Sequence, residues 1–105
     1  MIVPFTMNIH EIKKYYEYRG MKLPNSKEAL DFAVTEIGEA MDAWIRENQE
    51  GWSRNNPDKK SNLAFELADT YQMLEIASIL HNGATLEENL RGKWASKGYQ
   101  NTETE

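Results

Sequence analysis

Four carboxylates are paired in this sequence at a spacing that suits metal chemistry. Glu36-x-x-Glu39 is one pair and Glu66-x-x-Asp69 the other. On a helix, residues three apart share a face, one turn above the other. If the two helices lie side by side, all four acids meet. Two unit charges ~6 Å apart at an effective dielectric of 20 repel by roughly 3 kcal/mol. Summed over four acids, the gross term is on the order of a whole domain's stability, about 5–15 kcal/mol. Such a cluster needs cations, protons or basic partners. An all-oxygen ligand set favours Mg²⁺, with Mn²⁺ as the alternative, over zinc or copper. A di-iron helical bundle would carry Glu-x-x-His motifs, and neither pair has a His three residues on.

Composition narrows the remaining chemistry. The chain has 105 residues, no Cys, two His (His10 and His81) and a formal net charge of -5. The length predicts one domain over 1–105, with about 1–7 and 99–105 as frayed ends. Without Cys there are no disulfides, thiol nucleophiles or zinc-thiolate sites. The acidic balance argues against a nucleic-acid polymer as partner. Hydrophobic residues at 40% and charged residues at 28% fit a globular chain, not a membrane-spanning or disordered one. No targeting segment is recognisable, so the cytoplasm is the expected compartment.

The elements that must position the acids read as helices throughout. Asn8 with Glu11, Asn25 with Glu28 and Thr85 with Glu88 have the spacing of capping boxes. They open a first helix running to about Gly20, a second to about Asn48 and a last one to about Lys97. A third helix is expected from about Lys60 to Asn82, stopped by Gly83. The expected fold is all-α: a four-helix bundle built around an antiparallel hairpin of the second and third helices.

An angular reading at ~100° per residue separates two kinds of acid. Leu30, Val34, Ile37, Met41 and Trp44 recur at steps of 4, 3, 4 and 3, a heptad-like seam expected to be core. About 110° around lie Ala29, Phe32, Glu36, Glu39, Ala40 and Ala43. Glu28, Asp31 and Asp42 point to a third, solvated face. On the third helix Leu63, Leu67, Tyr71 and Leu74 form a seam, and Glu66 and Asp69 lie in another sector with Asn62, Met73, Ile76, Ala77 and Leu80. One Glu-x-x-Glu is common on a solvated face. Two such pairs on consecutive helices, both in apolar sectors, are not. The third helix is apolar around most of its circumference, so it is expected to be buried on most sides. That predicts a homo-oligomer.

The runs TEIGEAMDAW and FELADTYQML resemble the MazG-like nucleotide pyrophosphohydrolases, a branch of the all-α NTP pyrophosphatase superfamily. The family pattern is E-E-x-x-E, a spacer, then E-x-x-D. Thr35 stands where the first Glu of that pattern usually stands; Glu36, Glu39, Glu66 and Asp69 match the rest. The resemblance covers roughly residues 25 to 97. It implies a MazG-like bundle completed by oligomerisation. It also implies Mg²⁺-dependent cleavage of a nucleoside or deoxynucleoside triphosphate between its α and β phosphates, giving the monophosphate and pyrophosphate. Glu36, Glu39, Glu66 and Asp69 would be the catalytic metal ligands, with the general base left open. Lys93 best matches the family's phosphate-contacting lysine, with Arg91 and Lys97 as alternatives.

Weaker candidates complete the set. Asn62 shares a sector with Glu66 and is a candidate to orient a ligand or the nucleotide. Trp52, in the connecting loop, is a candidate to stack on a base, and Glu47 to serve as an outer ligand. The two histidines read as structural or surface residues. Within enzymes the rival reading is a phosphoribosyl-ATP pyrophosphatase. Outside them it is a catalytically inactive helical interaction module that keeps the fold.

Overall fold

Local capping sets where the helices begin. A computed structural model describes residues 8–48 and 62–99. The helices are α1 (Ile9–Tyr18), α2 (Ser26–Glu47), α3 (Leu63–Asn82) and α4 (Leu86–Ser96), with no strand among the described residues. The fold is all-α. Asn25 and Thr85 form reciprocal capping boxes with Glu28 and Glu88. Asn8 makes only one arm: its Oδ1 accepts from Glu11 N at 3.0 Å. The start of α3 differs from the expectation near Lys60. Its cap is Asn62, whose Oδ1 accepts from Phe65 N at 2.9 Å. Leu63 N, the first free donor of α3, is taken by Glu47 Oε2 at 2.7 Å. Glu47 is thus a cap between helices, not an outer ligand. The expected connecting loop lies outside the described residues, as do the expected frayed ends apart from Tyr99.

Two helices end in the same device. After α1, Gly20 N donates to Glu17 O and Met21 N to Tyr16 O. After α4, Gly98 N donates to Ala95 O and Tyr99 N to Trp94 O. Both are Schellman ends, and both need a left-handed residue that only glycine adopts without strain. Gly20 has φ 66° and Gly98 φ 88°. The Tyr99 ring packs edge-on against Trp94 at 5.9 Å, closing the end of α4.

The packing of α2 corrects the expected core. Helices α2 and α3 run antiparallel: Glu47 at the end of one caps the start of the other, and Ala29 shares a core with Ile76 and Ala77. The buried residues of α2 are Ala29, Ala33, Ala40 and Ala43. With Glu36 they step 4, 3, 4 and 3, one residue behind the bulky seam. Two heptad seams therefore run along one helix, ~100° apart. The small one faces α3, where alanines let the helices approach closely. The bulky one is left outward: Val34 is 71% exposed and Met41 60%, and Leu30, Ile37 and Trp44 are exposed too. Asp31 and Asp42 sit on the solvated face as expected, paired with Lys27 and Arg46.

Helix α3 divides along its length. At its C-terminal half four consecutive residues, Glu75 to Ser78, are buried, so neighbours surround it on every side within one chain. Ile12 and Tyr16 of α1 pack there on Ile76, Ala77 and Ala29. At its N-terminal half Phe65, Leu67 and Tyr71 are exposed. The expectation that α3 is buried on most sides holds in a single chain for the second half only. No helix of the described residues is long and apolar enough to cross a membrane.

Candidate functional site

Glu36 and Glu39 project from the middle of α2 toward Glu66 near the start of α3. Carboxylate oxygens of these three acids all lie within 4.8 Å of one another. Ala33 and Ala40, one turn on each side of Glu36, are the small residues that let the helices come this close. Asp69, one turn further along α3, stands outside this tight group but acts on it electrostatically. The structure therefore brings three of the four expected acids into one group and sets the fourth at its edge.

The site is partly sealed. Glu36 Oε1 and Glu66 Oε1 are buried and have no hydrogen-bond partner. A buried unpartnered acceptor costs about 1–3 kcal/mol, and more when charged. These surroundings favour the protonated form of the acids. Burial is the largest cause pushing the Glu36 carboxyl up to about 7; the hydrogen bond and charge of Glu39 follow, then Asp69 and Glu66. Burial also raises Glu66, followed by the charges of Glu39 and Asp69. Asp69 is raised by burial and then by Glu39. Glu39, itself exposed, is the hub that the other three share.

These observations fit a cation. Three carboxylates from facing helices come together, two of them with a sealed, partnerless oxygen, an all-oxygen set suited to Mg²⁺ or Mn²⁺.

The other candidates fall elsewhere. Thr35 is exposed, and its hydroxyl donates back to Asp31 O at 3.4 Å. Asn62 caps α3, its oxygen accepting from Phe65 N. Lys93 is exposed on α4; among the described residues neither it nor Lys97 has an ion-pair partner, whereas Arg91 is paired with Glu87. His10 and His81 are exposed. Trp52 lies outside the described residues.

Two residues were not singled out by sequence. Glu75 is fully buried; its Oε1 accepts from Leu86 N at 2.8 Å and fastens the start of α4 to α3. Gln72 lies one turn beyond Asp69 and donates from Nε2 to the Tyr16 hydroxyl at 3.4 Å. Neither has a local spacing signal, because the partner of each comes from another element.

Fold and site together define an all-helical protein with an acidic group between two antiparallel helices. Compared with family models, curated proteins and solved structures, the chain matches none.

Proposed function

We propose that this protein is a Mg²⁺-dependent nucleoside triphosphate pyrophosphohydrolase. The observation that carries the reading is the group of Glu36, Glu39 and Glu66, with two sealed oxygens that have no hydrogen-bond partner among the described residues. The resemblance to MazG-like enzymes supplies the reaction. Glu36, Glu39 and Glu66 hold the ion, with Asp69 beside them; Mn²⁺ serves in its place. The ion supplies charge neutralisation for the phosphates and activation of a water for in-line attack. The buried alanine seam brings the two acidic helices together at the site. Hydrolysis would break the anhydride between the α and β phosphates; the water's oxygen ends on one product, its released proton passes to solvent, and the monophosphate and pyrophosphate leave.

The test is a nucleotide panel with Mg²⁺, including phosphoribosyl-ATP, followed by phosphorus NMR. Pyrophosphate and the monophosphate are the expected first products. Orthophosphate as first product contradicts the reading. Turnover of phosphoribosyl-ATP alone moves the protein to the rival enzyme, and no turnover of any nucleotide favours the inactive interaction module.

The bulky seam supports a homo-oligomer, with a tetramer favoured over a dimer. Ile37, Met41, Trp44, Leu63 and Leu67 line an open apolar groove of about 470 Å³. Monomers rarely leave contiguous apolar surface of that kind uncovered. Light scattering is expected to give about four times the 12.2 kDa chain mass. Met41→Glu, on the seam and away from the acids, is expected to dissociate it. A stable monomer of the unmodified chain at micromolar concentration sinks this expectation.

A further inference from the structure

The corner between α3 and α4 holds the one Asn-Gly step of the chain, Asn82–Gly83. Helix α4 has no buried residue, so polar bonds carry much of its attachment to α3. Glu75 Oε1 accepts from Leu86 N at 2.8 Å. Ser78 Oγ donates to Ala84 O at 2.7 Å and accepts from Asn89 Nδ2 at 2.7 Å. Asn82 Nδ2 donates to Asn89 Oδ1 at 2.9 Å. Asn82 Oδ1 accepts from Ala84 N at 3.2 Å and from Asn89 Nδ2 at 3.3 Å.

The network runs in one direction. A hydroxyl has a single proton, and that of Ser78 goes to the Ala84 carbonyl. Asn89 must then present its amide nitrogen to Ser78, which turns its Oδ1 toward Asn82. The backbone N–H of Ala84 holds the Asn82 oxygen, so the Asn82 nitrogen faces Asn89. The Asn82 amide is thus a donor that ties one helix to the other.

The same amide is chemically labile. Asn is a thermolabile residue, above all before Gly, which has no Cβ to shield its backbone nitrogen. The Gly83 nitrogen attacks Asn82 Cγ and gives up its proton; the Cγ–Nδ2 bond breaks, and Nδ2 leaves as ammonia. Water then adds to either carbonyl of the cyclic imide and breaks that carbonyl's bond to nitrogen, giving aspartate or isoaspartate at position 82. Asn82 and Gly83 are exposed, so water reaches both. The folded corner nevertheless withholds the reactants. Gly83 N donates to Ile79 O at 2.8 Å as the left-handed stop of α3. The Asn82 amide is held by Asn89 and by Ala84 N. Both must let go before the nitrogen can reach Cγ.

We infer that Asn82 is a deamidation site guarded by this latch: its amide is lost only when the α3–α4 corner opens, and the loss leaves α4 unlatched. In the product an oxygen stands where the nitrogen stood and meets the Asn89 carbonyl, acceptor against acceptor. Turning Asn89 over sets its carbonyl against Ser78 Oγ, whose proton is already given. The new charge also lies at the C-terminus of α3, where the helix dipole disfavours an anion. Isoaspartate further lengthens the backbone at the helix stop.

The test incubates the whole protein at mildly alkaline pH and follows position 82 by peptide mapping and mass. Deamidation is expected to be at least about tenfold slower in the folded chain than in urea. Ser78→Ala and Asn89→Ala each remove part of the latch, and each is expected to speed the reaction about fivefold in native buffer, the worth of one hydrogen bond. Ile12→Val weakens the core away from the corner to a comparable degree and is expected to leave the rate unchanged. Thermal melts check that the variants fold. In the deamidated protein, hydrogen exchange is expected to quicken in α4 and not in α2. Equal rates in the folded chain and in urea, or no reaction in urea, overturns the inference. So does a rate that neither latch variant raises, an equal rise in Ile12→Val, or α4 exchange that deamidation leaves unchanged.

Discussion

Glu66→Gln is expected to melt higher than the unmodified protein in chelator at pH 8 and to lose turnover by about 100-fold or more. The loss of turnover exceeds what outer-shell partners of a metal cost, because Glu66 is placed among the ligands themselves. The gain in stability follows from the surroundings of Glu66. Its carboxyl is raised by burial and by the charges of Glu39 and Asp69, and its Oε1 has no partner. At pH 8 that charge is held against its environment. Gln keeps the shape, removes the charge and adds two donors next to the acceptors of Glu39. About 1 kcal/mol of relief raises the midpoint by roughly 4–8 °C in a chain of this size. Mg²⁺ is expected to reverse the order. At a hundredfold excess over its dissociation constant it stabilises the unmodified protein by about 2.7 kcal/mol, and the Gln variant by less. Melts of both proteins with Mg²⁺ and with chelator separate three cases. A solvated acid gives small changes and normal turnover. A buried ion pair gives a Gln variant clearly destabilised without metal, and that result counts against the acidic group as described.

The parts of this fold that were legible in the sequence are those set within four residues. Asn25 with Glu28 and Thr85 with Glu88 declare their caps because donor and acceptor are three positions apart. The sector of Glu36 and Glu39 was legible for a related reason: helical periodicity fixes angles around one axis. What it does not fix is which sector meets the neighbouring helix. On α2 both seams have the same 4-3 rhythm, and side-chain size favoured Leu30 to Trp44 over Ala29 to Ala43. The structure reverses that choice, because alanines allow a closer approach of α3 and the acids need that approach to meet. Asn62 illustrates the same limit. Its place in the sector of Glu66 suggested a ligand-orienting role, but a position one residue before Leu63 makes it the cap of α3. Glu75 and Gln72 were invisible for want of any local pattern; their partners, Leu86 and Tyr16, lie across a helix corner and on another helix.

Raising the pH from 5 to 8 is expected to weaken the metal-free protein and to tighten its hold on Mg²⁺. Glu36 titrates at about 7 in the folded chain, against an ordinary value near 4.3 once unfolded. Between those values the folded state holds a proton that the unfolded state has released. Stability from this group is fully present below the unfolded value and is lost as pH rises through the folded one. Because Glu36 shares its proton field with Glu39, Glu66 and Asp69, the loss across this window is about 1–3 kcal/mol rather than the full single-site figure. Glu66 and Asp69 are shifted in the same direction and add to it. Mg²⁺ must displace these protons, so its dissociation constant is expected to fall up to about tenfold per pH unit for each proton released, then level off above pH 7. Calorimetry in buffers of different ionisation enthalpy counts the protons directly. At pH 6 at least one proton is expected to leave per Mg²⁺ bound, and at pH 8 almost none. A metal-free protein that gains stability between pH 5 and 7, together with Mg²⁺ binding that releases no proton at pH 6, means that Glu36 is an ordinary ionised acid and that the sealed carboxylate group does not exist in solution.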